Sequence, residues 1–317
     1  MFSALQSVLS VIVMIGLGFI LAKRGWFEGA SASLVSRLVV SIALPAYMIS
    51  NLMSGYDRQG LISMLPGLPV PFITMISGFI LASLLAVLIG IPKGRRGTFA
   101  SMFSLSNAIF IGLPVNILLF GDVSIPYALL YYIANTTCFW TIGTFAIAND
   151  GALRSGGSRP SLLSLSGLKR LFSPPLVAFL VAVILILLEI RLPRWVMDTS
   201  KYLGNMTTPL SMLFVGIVIA RVDWKKLRFG LDMLVLVAGR FVFTPLIVFL
   251  MVKNGDFPVL MKQVFVIQAA MPAMTQTPIL AEAYKADSEY AGLGTSLTTL
   301  LSLVSIPVYM AFVGKMF

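Results

Sequence analysis

The sequence SNAIFIGLPVN, residues 106–116, and the sequence QAAMPAMTQTPILA, residues 268–281, decide the fold of this chain. Both stretches lie in long apolar segments, yet each carries proline together with amide or hydroxyl side chains. Proline removes a backbone donor and clashes with the preceding turn, so Pro272 and Pro278 are expected to open a helix near Pro272. Backbone groups freed at lipid depth are tolerated only inside protein or beside a cavity. The two stretches therefore predict two broken helices inside a membrane protein.

The composition supports the same class of protein. Of 317 residues, 58% are hydrophobic and 11% are charged, with no His and one Cys, whereas a soluble domain is about 25% charged. This excludes a soluble enzyme, a nucleic-acid-binding protein, a disulfide scaffold and a disordered chain. It predicts an all-α polytopic membrane protein with the lipid bilayer as a partner. No cofactor, metal site or catalytic residue is indicated, because the sequence lacks His and pairs no carboxylates at mid-depth.

Apolar runs of the length that a bilayer requires recur along the whole chain. A spanning helix needs about 20 apolar residues, and by this measure the sequence predicts ten transmembrane helices. They are 3–22, 34–53, 68–91, 98–118, 125–149, 170–190, 201–220, 232–252, 260–283 and 290–314. The longest connection, 150–169, is rich in Gly and Ser and basic, and it reads as a cytoplasmic linker. The predicted division is a first five-span repeat at 1–149 and a second at 170–317.

The basic residues predict the orientation of the spans. The formal net charge is +11, and the loops that follow odd-numbered spans carry 15 Lys and Arg residues against 7 on the other side. Cytoplasmic loops carry the excess of basic residues in membrane proteins. We therefore expect both termini outside, with a bacterial inner membrane as the location. The alternative is that the basic loops are merely solvated ends of helices.

One offset relates the two halves of the chain. A shift of 164 residues places SRLVVSIALPAYM, which starts at residue 36, on SKYLGNMTTPLSM, which starts at residue 200, and pairs Pro45 with Pro209. The same shift pairs Pro114 with Pro278. Because each half has an odd number of spans, the second half enters from the opposite face. Inverted repeats of this kind are typical of transporters, with the substrate site near the midplane. Symmetry without transport is the alternative, and Pro45 and Pro209 taken singly predict ordinary repeat-related kinks.

Spans four and nine are the candidates for that site. Interrupted segments in corresponding positions of two halves indicate a binding site, and the start of a half-helix suits an anion. Amide side chains are costly in lipid unless they are paired. The predicted substrate-binding residues of these spans are Ser106, Asn107, Gln268, Thr275 and Gln276. The predicted helix breaks are at Gly112, Pro114, Pro272 and Pro278. Ordinary proline kinks are the alternative.

Arg240 is the one ionisable residue predicted deep in the membrane. All twelve acidic residues lie in loops or near the ends of spans, so the usual carboxylate or imidazole proton relay is missing. An Arg cannot simply lose its proton, and it needs carbonyls, water or an anion. Arg240 is therefore either a counter-ion for a carboxylate substrate or a structural residue that hydrogen-bonds the broken backbone of another span.

Three motifs, in order along the chain, resemble the auxin efflux carrier family. SNAIFIGLP at 106–114 resembles the fourth span of the family, where a Pro-Asn pair precedes Gly-x-Pro. QAAMP at 268–272, followed by Pro278, resembles its ninth span, and GRF at 239–241, followed by Pro245, resembles its eighth. Each motif alone is weak, but the ordered set covers nearly the whole chain.

The resemblance implies a ten-span 5+5 inverted repeat with crossed broken helices in spans four and nine, both termini outside, a bile-acid-transporter-like fold and elevator-type alternating access. It also implies a small organic anion as substrate, because bacterial members are commonly permeases for malonate, malate and related acids while plant members export auxin. By position, Asn107 would line the site and Pro272 would mark the second break.

Two departures from the plant pattern bear on the substrate. Ser106 stands where the plant pattern has proline, and the stretch 273–277 is one residue longer and carries Gln276. These differences favour a small, more polar acid over auxin. The alternatives are a sodium-coupled organic anion symporter of bile-acid-transporter type and a membrane receptor or assembly protein that transports nothing. A broad scaffold is compatible with a homodimer, and no nucleic-acid partner is expected.

Overall fold

The computed structural model describes residues 2–27, 31–156, 174–221 and 230–317 as an all-helical structure. We number the helices of these ranges α1 to α10 and divide α4 and α9 at their breaks. The first half contains α1 (Phe2–Lys23), α2 (Ser31–Leu38, Val39–Ala43 and Leu44–Gly55), α3 (Arg58–Met64, Leu65–Gly67 and Pro69–Leu88), α4a (Arg96–Ser104), α4b (Ala108–Gly112 and Leu113–Phe120) and α5 (Ile125–Cys138, Phe139–Gly143 and Thr144–Ser155). The second half contains α6 (Pro174–Leu187), α7 (Arg194–Gly204 and Thr207–Ala220), α8 (Leu231–Ala238, Gly239–Phe243 and Thr244–Val252), α9a (Val259–Ala269), α9b (Thr277–Ala283) and α10 (Ser288–Phe312).

Length and composition confirm a helical membrane protein. Within the described ranges, five helices are long and apolar enough to cross a bilayer: Leu34–Gly55, Arg58–Leu88, Arg194–Ala220, Leu231–Val252 and Ser288–Lys315. Shorter apolar helices occur at Ile12–Lys23, Ala108–Phe120, Pro174–Leu187 and Val259–Ala269. Two of these four are halves of the predicted broken spans, which explains why they fall short of a full crossing.

The helices pack in two groups. The most extensive contacts join α1 to α7 and α2 to both α6 and α7, whereas α3, α4, α5, α8, α9 and α10 contact one another. Within the first group α1 and α7 approach closely, since a Cβ atom at Gly18 or Gly216 would overlap the backbone of the other helix. Small residues permit this close approach in membrane proteins. Contacts between the groups include the rings of Phe110 and Phe214, whose centroids are 5.2 Å apart.

Three π turns precede prolines and explain how these prolines are accommodated. In α2, α4b and α8 the amide after the π turn bonds five residues back: Leu44 to Val39, Leu113 to Ala108, and Thr244 to Gly239. The next residue is Pro45, Pro114 or Pro245, which has no donor to offer. In α8 the carbonyl four residues before Pro245 belongs to Phe241, and it accepts a hydrogen bond from Tyr309 Oη at 2.6 Å. π turns of this kind are frequently found at functional sites.

The structure corrects the predicted positions of two helix breaks. Helix four opens at 105–107, whereas Gly112 and Pro114 lie in the continuous helix α4b. Pro114 is tolerated there because it follows the π turn at Ala108–Gly112. The second break spans 270–276 and contains Pro272, as predicted, while Pro278 lies in the first turn of α9b.

The remaining predicted irregularities differ in form. α2 passes Pro45 through its π turn at Val39–Ala43, and α7 is interrupted at 205–206, just before Pro209. α5 continues to Ser155, so the first residues of the predicted linker are helical. The remainder of that linker lies outside the described residues.

An ion cluster joins the ends of α4a, α5 and α10. Asp287 Oδ2 pairs with Arg95 Nε at 2.7 Å and with Arg154 Nη1 at 3.0 Å, while its Oδ1 accepts from the amide of Tyr290 at 3.0 Å. Asp150 of α5 accepts hydrogen bonds from two amides at the start of α4a. Burial raises the pKa of the Asp287 carboxyl, but the hydrogen bonds from Tyr290 and Arg95 and the charges of both arginines hold that pKa below its ordinary value.

We expect Asp287→Asn to lower the free energy of unfolding by about 1 kcal/mol at neutral pH, a small amount because both arginines are partly exposed. A carboxyl with a lowered folded-state pKa stabilises the fold above its ordinary pKa, near 3.9, and the stabilisation is lost as pH falls through the folded pKa. Thermal unfolding of both proteins in detergent from pH 7 to pH 3 checks this. The midpoints should differ by a constant amount down to about pH 5, and the difference should shrink as pH falls below about 4; a difference that does not shrink between about pH 5 and pH 3 would contradict the assignment.

Candidate functional site

The two helix breaks cross at one point, where their backbones bond to each other. Ser106 and Ala273 form an isolated antiparallel β-bridge, and the amide of Asn107 donates to Pro272 O at 2.8 Å. Extended backbone in both breaks allows this pairing, because the amide of Asn107 and the carbonyl of Pro272 are not bonded within a helix. The two breaks of α4 and α9 thus lie together in the structure.

Side chains from two neighbouring helices complete the pairing of the broken backbone. Asn135 of α5 accepts from the amide of Ser106 at 2.9 Å and donates to Ser106 O at 2.9 Å, as a strand residue would. Thr298 Oγ1 of α10 accepts from the amide of Ala273 at 3.2 Å. Buried backbone groups need such partners, so α5 and α10 hold the two breaks in their extended form.

Asn107 begins α4b and presents a free amide donor. Its Oδ1 accepts from the amide of Phe110 at 3.2 Å and thereby caps the helix, while only 2% of the residue is exposed. Its Nδ2 has no hydrogen-bond partner among the described residues. An unpaired buried donor costs about 1–3 kcal/mol, so the arrangement favours a ligand or a water that accepts a hydrogen bond here.

Gln268 and Asn116 extend the polar surface along α4b. Gln268 is fully buried, and within the part of the chain that the structure describes neither its Oε1 nor its Nε2 has a partner. It packs directly against Gly112, where a Cβ atom would overlap its Oε1. Asn116 Nδ2 donates to Gly112 O at 2.7 Å and leaves its own Oδ1 unpaired. Gln268 of α9a and Asn116 therefore bring amide atoms that can still donate or accept to the same turn of α4b, at Gly112.

We expect Gly112→Ala to displace the Gln268 amide, because the added methyl group would occupy the same space. Gly112 has ordinary helical backbone angles, so any effect arises from crowding and not from the backbone. The free energy of unfolding should fall by about 1–3 kcal/mol. Gly292→Ala in α10 is the matched control, since nothing lies within 4 Å of its Cβ position. Thermal unfolding of both variants checks the packing, and equal midpoints would contradict it.

Arg240 is fully buried, and its guanidinium binds backbone carbonyls from both broken helices. Nη1 donates to Phe103 O at 2.7 Å, and Nη2 donates to Ala269 O at 2.7 Å. Nε and Nη2 donate to Met271 O at 3.1 and 3.0 Å. Of the two sequence-based interpretations, this geometry favours the residue that hydrogen-bonds broken backbone. A direct contact with a substrate carboxylate stays a prediction.

The other predicted site residues lie in the same region. Ser106 is fully buried at the bridge, whereas Thr275 and Gln276 lie half-buried in the second break. Sequence reasoning missed Asn135, Thr298 and, as a site residue, Asn116. Asn135 did carry a signal, because an amide deep in an apolar span needs a partner. Thr298 carried none, because a hydroxyl can bond within its own helix.

Comparisons with known proteins agree with a transport function. Residues 3–310 match the family described as membrane transport protein. The chain is 28% identical over 309 residues to an uncharacterized transporter of Methanothermobacter thermautotrophicus, covering 96% of each chain. It is 24% identical over 307 residues to an uncharacterized transporter of Methanocaldococcus jannaschii, covering 95% of this chain and 96% of the other.

A third relative has a substrate in its name. A protein of Rhizobium meliloti named "Putative malonate transporter" is 23% identical over 318 residues, covering 94% of this chain and 92% of its own.

Proposed function

The chain belongs to the membrane transport protein family, the auxin efflux carrier family, whose members are transporters and not enzymes, and from this premise we propose that it is a secondary carrier of small organic anions. The cargo class is mono- or dicarboxylates such as malonate, malate or auxin-like acids. The observation that carries the proposal is the unpaired amide donor of Asn107 at the start of α4b, inside the bridged crossover. A helix start and a free N–H together favour a carboxylate.

A small, polar acid fits the crossover better than an aromatic one. The unpaired amides of Asn107, Gln268 and Asn116 offer donors and acceptors at several points along α4b, and amide donors favour a cargo with more than one oxygen-bearing group. Ser106 and Gln276, which depart from the plant pattern, add further polar character. The name of the Rhizobium meliloti relative points the same way.

Elevator-type alternating access by a 5+5 inverted repeat is our proposal for the mechanism. Several irregularities recur at or within one residue of the 164-residue offset. They are the π turn of α2 with the interruption of α7, the two breaks, and the supports Asn135 and Thr298, which differ by 163. The division of the helices into two packed groups supplies a scaffold and a moving body. In this proposal the halves are 1–149 and 170–317, and both termini lie outside a bacterial inner membrane.

Uptake into proteoliposomes tests the proposal. The purified protein is reconstituted and supplied with radiolabelled malonate, malate, lactate or indole acetate, with and without a pH or sodium gradient, and protein-free liposomes serve as the control. We expect saturable uptake that is strongest for malonate or malate. Uptake that requires sodium would favour the symporter alternative. No uptake of any acid under any gradient would contradict a carrier and favour a receptor or assembly protein.

A further inference from the structure

Arg240 is a buried cation at the crossover, and no carboxylate of the described ranges pairs with it. The ion pairs found in the described ranges join other arginines to Asp287 and Asp198, and all hydrogen bonds that hold the Arg240 guanidinium go to backbone carbonyls. A desolvated charge persists only where its surroundings stabilise it. The backbone carbonyls around the Arg240 guanidinium must therefore stabilise its charge.

These carbonyls belong to the C-terminal ends of two helices. Phe103 lies in the last turn of α4a, and Ala269 is the last residue of α9a. The C-terminal end of a helix carries about half a negative charge, so two such ends bring about one negative charge to the crossover. The guanidinium lies against both ends and offsets them. Without it, an entering anion would meet two negative helix ends.

The Arg240 guanidinium is connected to Asn107 through the backbone of the second break. It binds Met271 O, while the carbonyl of the next residue, Pro272, binds the amide of Asn107. The guanidinium and the amide of Asn107 thus bind the carbonyls of two consecutive residues. Over such a short distance a charge acts strongly in a low-dielectric interior. We propose that Arg240 determines the charge selectivity of the crossover without touching the cargo. This inference rests on the proposed carrier function and extends it.

Two neighbouring residues pack beside Arg240. Gly239 lets the ring of Phe103 approach α8 closely, since a Cβ atom there would overlap the ring. Thr244 Oγ1 can donate to the carbonyls of Gly239 and Arg240, each at 3.1 Å, or to Ala269 O at 3.2 Å, the carbonyl that Arg240 also binds. Thr244→Val therefore removes a neutral bond at the same helix end and serves as the matched control.

Binding of malonate and malonamide to the purified protein tests the inference, because the two ligands share a skeleton and differ in charge. For Arg240→Gln we expect the preference for malonate over malonamide to fall at least about tenfold, while the affinity for malonamide changes by less than about twofold. For Thr244→Val the preference should equal that of the wild type. An equal loss of affinity for both ligands in Arg240→Gln would overturn the inference and leave a purely structural Arg240.

Arg240→Lys supplies a second test that does not depend on the Gln variant accumulating in membranes. A buried ammonium loses its proton more readily than a guanidinium, so its preference for malonate should decline as pH rises from about 7 to about 9. The preference of the wild type should stay constant. Tyr131 and Tyr309, which interact electrostatically with Arg240, are present in both proteins, so the comparison isolates residue 240. A preference in Arg240→Lys that equals that of the wild type at every pH would overturn the inference, whereas a low and constant preference would mean that the ammonium is already neutral at about pH 7.

The two proposals fail in distinguishable ways. If the wild type takes up malonate but binds malonate and malonamide equally, the inference about Arg240 is wrong and the carrier function stands. If the wild type neither binds nor takes up any of the acids, the carrier function is wrong, and the inference that rests on it falls with it.

Discussion

Asn107→Ala is expected to raise the malonate concentration for half-maximal uptake at least about tenfold. This factor corresponds to the loss of one or two buried hydrogen bonds to a charged ligand. The substitution removes the unpaired Nδ2 donor and also the cap on the amide of Phe110. Loss of the cap alone should cost about 1 kcal/mol of stability. Uptake into proteoliposomes and thermal unfolding together measure the two effects.

Asn107→Ser separates these two roles. A serine hydroxyl can still cap α4b but is too short to replace the amide donor. We expect Asn107→Ser to unfold like the wild type and to transport as poorly as Asn107→Ala. Asn51→Ala removes a half-buried amide that donates to Tyr47 O and should leave uptake unchanged. Normal uptake by both Asn107 variants would contradict the placement of the site.

Asn135→Leu is expected to lower the free energy of unfolding by about 2–4 kcal/mol. The leucine would leave the amide and the carbonyl of Ser106 without the two 2.9 Å hydrogen bonds that Asn135 supplies. Each buried backbone group left unpaired costs about 1–3 kcal/mol. The midpoint of thermal unfolding in detergent measures the loss, and Asn51→Leu is the control at a half-buried amide outside the crossover.

The effect of Asn135→Leu should extend to transport. Without Asn135 the bridge between Ser106 and Ala273 loses its support on one side, and the neighbouring Asn107 donor loses its fixed position. Uptake by Asn135→Leu should therefore fall even at a low temperature at which the variant remains folded. A variant that unfolds and transports like the wild type would show that the extended form of the break needs no side-chain support.

The sequence predicted the helical segments and the crossing because both depend on local chemistry. Apolar runs of sufficient length identify a membrane helix, and Pro272 with Pro278 six residues later predicts an opened helix. Gly112 and Pro114 predict a further break in span four, and this prediction is wrong. Pro114 follows the π turn at Ala108–Gly112 and stays within a continuous helix. The helix instead opens at 105–107. A π turn depends on the packing of several helices, which local sequence does not report.

The partners of the broken backbone could not be predicted for the same reason. Asn135 and Thr298 bind residues 29 and 25 positions away, and Arg240 reaches a carbonyl 137 positions away. Each of these side chains is explicable once its partner is known, but polar residues in apolar spans have many candidate partners. Arg240 illustrates this, since the sequence alone left its two roles equally open.

The position of a bound acid tests the central claim most directly. A crystal structure of the protein grown with bromomalonate would locate the bromine by its anomalous signal, without reliance on any variant. We predict one ordered bromine beside Asn107 and Gln268, at the crossover of α4 and α9. A bromine bound elsewhere, for example in the open groove lined by Arg58 and Arg191, with the crossover empty at saturating ligand, would contradict the account.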